Sequence, residues 1–389
     1  PLRDPVDQLK ERMRPEHQKL DLRRAPMIRV QAAPDRGGER WFAILQLHHV
    51  ASDHESVETM LAEVRAYIEG NAPDLPAAVP YRNHVARALD PARTLDAEAF
   101  FRAKLGDVDE PTAPFGLLDV RGEGARIDRA DQAIEPALAR RIRSQARRLG
   151  VSAATLFHAA WALVVSRTSG RDDVVFGTVL LGRLQDSAGA QRMLGMLINT
   201  LPLRLRLDRI GARELVEQTQ RELVELLDHE QASLTLAQRC SGVGASSPLF
   251  GTLINYLHSS IDIETGQPSI APGIRVLASH EWTSYPIALS IYDQGEGFML
   301  MAKADQSIDP HAITRYISTS MEALVEALDH APEAPVLGVR VLPPEEERQV
   351  VDAFNATSIA YPGEKLVHEL FEEQVARTPQ ATAIQCGGK

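Results

Sequence analysis

The stretch RWFAILQLHHVASDHESVETMLAEVRAYIEG, residues 40–70, contains two elements and the turn between them. Residues 40–50 are almost continuously apolar and end in two histidines, which predicts a buried central strand. The apolar residues that follow recur at the three-and-four spacing of one helical face, and Gly70 ends the pattern. Ser52 and Glu55 predict a capping box at the start of this helix. The histidines therefore lie where a strand meets the positive end of a helix dipole.

The turn carries the pattern His-His-x-x-x-Asp at His48, His49 and Asp53. Because side chains alternate along a strand, one histidine can face a cleft while its neighbour packs inside. The helix N-terminus disfavours an imidazolium, which keeps the cleft-facing histidine neutral and able to accept a proton near pH 7. Asp53 is then an orienting group rather than a nucleophile.

Two other interpretations of this turn stay open. Both histidines can be ordinary core residues, with Asp53 serving only as a helix cap. Alternatively, His49, Asp53 and His54 fit three of the four ligand positions of the HxHxDH pattern of binuclear metallohydrolases. Ala51 occupies the fourth position, and no later histidine cluster has metal-ligand spacing, which weakens the metal hypothesis.

Composition limits the class of protein. The 389 residues are 44% hydrophobic and 24% charged, and no apolar run approaches the roughly 20 residues of a membrane span. With 42 Lys plus Arg against 53 Asp plus Glu, a net charge of −11 gives no reason to expect nucleic-acid binding. The two cysteines, Cys240 and Cys386, are far apart and suggest neither a disulfide framework nor a zinc site. We expect a reducing, cytoplasmic setting and no membrane or nucleic-acid partner.

Further along, the chain predicts a mixed α/β fold with a large sheet. Residues 111–129 are rich in Pro, Gly and Asp and lack periodicity, which predicts a passage between two lobes. We expect a first lobe at 1–115, a second at 116–342 and a new unit at 343–389. Periodicity and capping residues predict helices at 136–149, 153–167, 211–229 and 310–329, and strands at 174–180, 199–207, 248–257 and within 286–304.

The segment LHHVASDHES (47–56) resembles the HHxxxDG motif of nonribosomal peptide synthetase condensation domains. The segment FNATSIAYPGEKLVHELFEEQVARTPQATAI (354–384) resembles the linker and opening helix of an adenylation domain. Further stretches resemble condensation motifs and follow the family's order: LDLRRAPMIRV (20–30), YRNHVARA (81–88), VVFGTVLLGR (174–183), GMLINTLPLRL (195–205) and HEQASL (229–234).

The resemblance implies a chloramphenicol acetyltransferase-like fold, in which two αβ lobes form a V around a tunnel that holds the motif. The family begins well before Pro1, so we expect the first lobe to be incomplete. Upstream and downstream peptidyl carrier domains would deliver a peptidyl donor and an aminoacyl acceptor on their phosphopantetheine arms. The domain itself would bind no cofactor. By position, His49 becomes the catalytic histidine, and His48 and Asp53 become its supports.

The chain departs from the motif at one letter, because the family's Gly after the aspartate is His54 here. Together with words such as DHES and YRNHVA, this resembles the dual epimerization/condensation subgroup, which inverts the donor before joining it. Inversion needs a base and an acid, and adjacent histidines can share that work. The alternatives are plain condensation, a stand-alone epimerization domain and an inactive docking scaffold. The adenylation-like segment at 354–384 argues against a stand-alone epimerization domain.

Three residues outside the motif are weaker candidates. The resemblance places His258, in NYLHSS, on a strand that lines the tunnel, where it either contacts the reaction centre or has no role. Arg183, in LLGR, and Asn199, in INTLP, are expected to support a loop and a strand bend.

Overall fold

The computed structural model describes residues 4–14, 17, 20–35, 37–119, 127–183, 192–244, 247–258, 261–262, 267–268, 274, 276–278, 283–360 and 363–386. The chain divides into two compact units, Pro1–Val341 and Leu342–Lys389.

The first part of the larger unit is a small sheet followed by helices. Strands β1 (Ile28–Pro34) and β2 (Trp41–Leu47) pair antiparallel, with Ile28 opposite Leu47. The helices of this part are α1 (Pro5–Arg12), α2 (His54–Ile68), α3 (Arg82–Ala88) and α4 (Pro91–Leu105). The predicted order of strand, histidine turn and helix is thus present.

Two predictions about this region are wrong. The strand is not central, because β2 pairs only with β1 in the described chain. It is also only partly buried, because Trp41 and Leu45 are 70% and 36% exposed whereas Ile44 and Gln46 are buried. An apolar run shows what a strand can bury but not which neighbours cover it. The cap of α2 is also not Ser52: the helix begins one residue later, and Asp53 accepts the backbone N–H of Ser56 at 2.9 Å.

A six-stranded mixed sheet forms the second part of this unit, in the spatial order β3-β10-β9-β6-β4-β5. Strands β4, β6 and β9 run parallel, and the other pairs are antiparallel. Its strands are β3 (Ile127–Ala133), β4 (Asp173–Leu180), β5 (Asn199–Arg206), β6 (Thr252–His258), β9 (Ile287–Asp293) and β10 (Phe298–Asp305). Two short strands, β7 (Ile261–Asp262) and β8 (Gln267–Pro268), form a separate pair.

Strand β3 overlaps the end of the predicted passage at residues 111–129. It begins at Ile127 and pairs with β10 as an edge strand. Its sequence, IDRADQA, is largely polar, which suits an edge strand and hides it from an apolar pattern search. Residues 120–126 of the predicted passage lie outside the described chain.

The helices of the second part are α5 (Pro136–Leu149), α6 (Ala153–Ser169), α7 (Ala212–Asp228), α8 (Leu234–Arg239) and α9 (Pro310–His330). Gly150 and Gly170 end α5 and α6 in the left-handed conformation, with φ of 68° and 70°, which glycine adopts without strain. Helix α6 is buried along most of its length, contacts α9 and carries Trp161 into the core. The predicted helices therefore form the layer that packs on the sheet.

The smaller unit contains α10 (Pro344–Arg348), one π-helical turn (Gln349–Ala353) and α11 (Val367–Arg377). None of these three elements has a buried residue. Across the described residues of both units, no single helix has the length and apolar character of a membrane span, and only α5 and α6 taken together, across a bend of 108°, meet that criterion.

Candidate active site

The histidine turn lies between the end of β2 and the start of α2. His48 is half-buried, and its Nδ1 accepts the backbone N–H of Val50 at 3.1 Å. A neutral His48 must therefore carry its proton on Nε2. His49 is exposed, and its carbonyl accepts the backbone N–H of Ser52 at 3.4 Å. The backbone of His49 is thus held in the turn while its imidazole is exposed to solvent.

Asp53, at the end of the turn, is buried among hydrogen-bond donors. Its Oδ1 accepts the hydroxyl of Ser56 at 2.6 Å and Nη2 of Arg183 at 2.7 Å, and its Oδ2 accepts the backbone N–H of Leu197 at 3.0 Å. Burial alone would raise the pKa of Asp53, but the hydrogen bonds from Ser56 and Leu197 and the charge of Arg183 outweigh it and hold that pKa below its ordinary value. Asp53 is an ionised anchor, fully withdrawn from solvent.

Arg183 and Ser56 connect Asp53 to residues 193–195, which are distant from it in the chain. Arg183 donates through Nη1 to the carbonyl of Met193 at 3.0 Å. Ser56 Oγ accepts the N–H of Gly195 at 3.1 Å and lies 2.9 Å from the Gly195 carbonyl. Since the Ser56 hydroxyl has one proton, it donates at any moment to either Asp53 or Gly195. We call the segment Met193–Leu197 the strap, because these contacts tie it to the start of α2.

A second helix contacts the same strap. The hydroxyl of Tyr81 donates to the carbonyl of Met196 at 2.7 Å, and its ring lies against Gly195. His84 is buried and stacks on Tyr81, with ring centroids 5.3 Å apart. Burial and the charge of Arg183 lower the pKa of His84. Ser56, Tyr81 and His84 were not predicted as site residues, although YRNHVARA and GMLINTLPLRL both resemble family motifs.

Two other candidates, His54 and Asn199, make their contacts outside the cluster around Asp53. His54 Nε2 is 3.1 Å from Glu58 Oε1, one turn along α2. Asn199, at the start of β5, donates through Nδ2 to the carbonyls of Glu230 at 2.9 Å and Ala232 at 2.5 Å. Asn199 therefore ties the sheet to the HEQASL stretch.

His258 is at the end of β6, with a side chain that is 75% exposed. Its Nδ1 lies 3.6 Å from Oδ2 of Asp293, a carboxylate that also accepts the hydroxyl of Tyr256 and the guanidinium of Arg143. Among the described residues, no contact joins His258 to the histidine turn.

The chemistry of the donor set does not favour a metal at the turn. Asp53 is bound to Arg183, and His54 lies against Glu58. Within the described ranges, no group of three or more His, Cys, Asp and Glu residues is placed to hold a metal ion.

The sequence of this chain is similar to those of known proteins. A family model described as "Condensation domain" matches residues 3–351. Malpinin synthetase of Mortierella alpina is 42% identical over 384 residues, which are 99% of this chain but 5% of that protein. The chain thus spans about a twentieth of that relative's length.

Two solved structures share the fold. The first condensation domain of the CDA synthetase has a TM-score of 0.65 at 20% identity, covering 87% of this chain and 76% of that one. A four-domain nonribosomal peptide synthetase bound to AMP and glycine has a TM-score of 0.73 at 14% identity, covering 96% of this chain and 30% of that one. The α/β fold predicted from the sequence is therefore confirmed.

Proposed function

This chain belongs to the condensation-domain family, and from that premise we propose that it joins two carrier-bound substrates through an amide bond in nonribosomal peptide synthesis. The donor is a peptidyl or aminoacyl thioester and the acceptor an aminoacyl thioester, each on the phosphopantetheine arm of a carrier domain. The observation that carries the proposal is the exposed ring of His49 on a turn whose far end, Asp53, is locked in a buried ion pair.

In the reaction, the acceptor amine attacks the donor carbonyl carbon. A C–N bond forms, the C–S bond breaks, and the carrier thiol leaves. His49 accepts a hydrogen bond or the proton from the attacking amine, and that proton ends on the leaving sulfur. Holding two tethered reactants at one point supplies several kcal/mol of the barrier reduction, on the order of what orientation gives in intramolecular reactions. His49 is then a positioning group as well as a base.

We extend the proposal to inversion of the donor α-carbon before condensation. His54 in place of the motif glycine and the words DHES and YRNHVA support this extension. Inversion removes the Cα proton and returns one to the other face. Nδ1 of His48 is already engaged with Val50, so Nε2 is the nitrogen of His48 that exchanges protons, while His49 serves as its partner.

The same proposal assigns the domains of this chain and the domains that adjoin them. Residues 1–115 and 116–342 are the two lobes of the condensation domain, and 343–389 are the linker and first helix of an adenylation domain. The family match that ends at residue 351 and the 96% coverage by a four-domain synthetase support this arrangement. Peptidyl carrier domains on both sides are the expected partners.

The test is a condensation assay in the full-length protein with loaded donor and acceptor carriers. We expect His49→Ala to slow dipeptidyl thioester formation by about a hundredfold or more, as for loss of a general base. His311→Ala, at an exposed histidine on α9, is the matched control. Equal rates for wild type and His49→Ala would remove His49 from the mechanism.

Chiral analysis of the same product tests inversion separately. With an L-configured donor, we expect a D residue at the donor position of the dipeptide. A product that keeps the L configuration would leave condensation in place and refute the dual activity.

A further inference from the structure

The strap is held through backbone atoms of four of its five residues. Its ends are tied to Arg183 and to Asp53, and its middle is tied to the start of α2 and to the N-cap residue of α3. The contacts are Met193 O to Arg183, Gly195 N and O to Ser56, Met196 O to Tyr81, and Leu197 N to Asp53.

Among these partners, Tyr81 is the N-cap residue of α3, whereas Asp53 and Ser56 belong to the start of α2. Its hydroxyl lies 2.7 Å from the Met196 carbonyl. A Cβ added to Gly195 would lie 2.2 Å from Cδ2 of the Tyr81 ring, so the ring occupies the space where any other residue would carry its side chain. Gly195 also has a φ of 157°, at the margin of the region that other residues avoid. Ring and glycine are therefore fitted to one another.

His84, on α3, packs against the ring of Tyr81, the N-cap residue of that helix. It is 7% exposed, and its ring plane is inclined by 26° to that of Tyr81 in a stacked pair. The charges that act on it are those of Arg183, Arg87 and Asp53. Burial and the two arginines keep His84 neutral, so it acts on Tyr81 as a flat packing surface.

We propose that Tyr81 is a positioning residue of the active site, which fixes the strap and through it the turn that carries His49. The inference rests on the proposed function, since it assigns Tyr81 to the amide-forming step. If Met196 is released, the strap no longer presents Leu197 N and Gly195 to Asp53 and Ser56 at a fixed place. The histidine turn then samples geometries in which the reactants are misaligned, which lowers the rate without weakening substrate binding.

The decisive variant is Tyr81→Phe in the full-length protein, which keeps the ring and removes only the hydroxyl. We expect kcat for dipeptide formation to fall about tenfold, the effect of one lost hydrogen bond, with KM within about twofold of wild type. Amide hydrogen exchange at Gly195 and Leu197 should accelerate by a similar factor, while exchange in β4 stays unchanged. Tyr67→Phe, on α2 with a 69% exposed ring, is the control and should match wild type in both measurements.

Variants at His84 separate positioning from simple stability. His84→Phe retains a flat ring behind Tyr81 and should keep kcat within about twofold, whereas His84→Ala should behave like Tyr81→Phe. A Tyr81→Phe protein with wild-type kcat, or with lower thermal stability and unchanged kcat, would overturn the inference. If wild type and Tyr67→Phe formed no amide, the proposed function would be refuted instead. Hydrogen exchange would then test separately whether Tyr81 fixes the strap, and unchanged exchange rates at Gly195 and Leu197 in Tyr81→Phe would refute that role.

Discussion

Arg183 and Asp53 meet almost without water, with side chains 5% and 0% exposed. Breaking such a pair by removing one partner leaves the other charge buried, which typically costs about 3–5 kcal/mol. We therefore expect Arg183→Met to lower the free energy of unfolding by about 3–5 kcal/mol in urea titrations at pH 7.

Arg65→Met is the matched comparison for this substitution. Arg65 lies 3.6 Å from Glu69 on α2, and both side chains are almost half-exposed. An exposed helical pair of this kind contributes about 0.3–0.5 kcal/mol. If Arg183→Met were as mild as Arg65→Met, the buried pair would contribute nothing specific to the fold.

A sequence motif identifies residues that are close in the chain but not the distant residues that they contact. His48, His49 and Asp53 were identifiable because they stand close together in the chain. The partner of Asp53, Arg183, lies 130 residues away, so the resemblance selected it as a support without indicating what it contacts. The capping error at Ser52 has a similar origin: both Ser and Asp cap helices, and only the backbone decides which residue starts the first turn.

Helix α6 and strand β4 are joined by a buried histidine. His158 donates through Nδ1 to the carbonyl of Ala154 at 2.7 Å, which leaves Nε2 to accept the hydroxyl of Thr178 at 2.8 Å. Burial lowers the pKa of His158 to about 4, against 6.5 for an ordinary histidine. The stability that depends on its neutral form is complete above pH 6.5 and is lost as the pH falls toward 4.

From this shift we expect His158 to make the free energy of unfolding fall by about 1.4 kcal/mol per pH unit across that window, and by about 3 kcal/mol in all. Urea unfolding at several pH values, followed by fluorescence of the buried Trp161, measures the slope. The double variant His158→Leu/Thr178→Val should lack this contribution, whereas His311→Gln, at an exposed site, should retain it. Parallel pH profiles for wild type and the double variant would contradict the assignment.

At the scale of elements, periodicity predicted helices better than it predicted burial. Helices α5 and α6 were foreseeable because Gly150 and Gly170 end clear patterns. Strand β3 was missed because an edge strand needs no apolar alternation on both faces. Strand β2 was predicted, but its burial was overestimated, because burial depends on which strands pair beside it rather than on its own sequence.

The chain combines a large unit with a core and a small unit whose described helices contain no buried residue. All six strands of the main sheet and the helices that pack on them lie in Pro1–Val341. The sequence becomes charged and Pro-containing beyond residue 342, and the described residues of that stretch contribute no strand to the sheet. How the start of α2 packs against residues 193–197 was not predictable, since it depends on contacts such as Ser56 with Gly195 that join residues 139 positions apart.

The final prediction concerns that division. Helices α10 and α11 have no buried residue, and Val367 and Phe371 of α11 are 84% and 60% exposed. An isolated helix of 11 residues is marginal in water, because helices below about 12–15 residues rarely repay the cost of nucleation. A peptide of residues 342–389 should therefore show little helical circular dichroism, whereas a chain of residues 1–341 should unfold cooperatively on heating. If residues 343–389 belong to an adenylation domain, joining residues 342–389 to an adenylation domain should make α11 helical, because an apolar face such as Val367 and Phe371 gains stability when it is covered. A peptide 342–389 that is strongly helical alone would show that this unit needs no such cover.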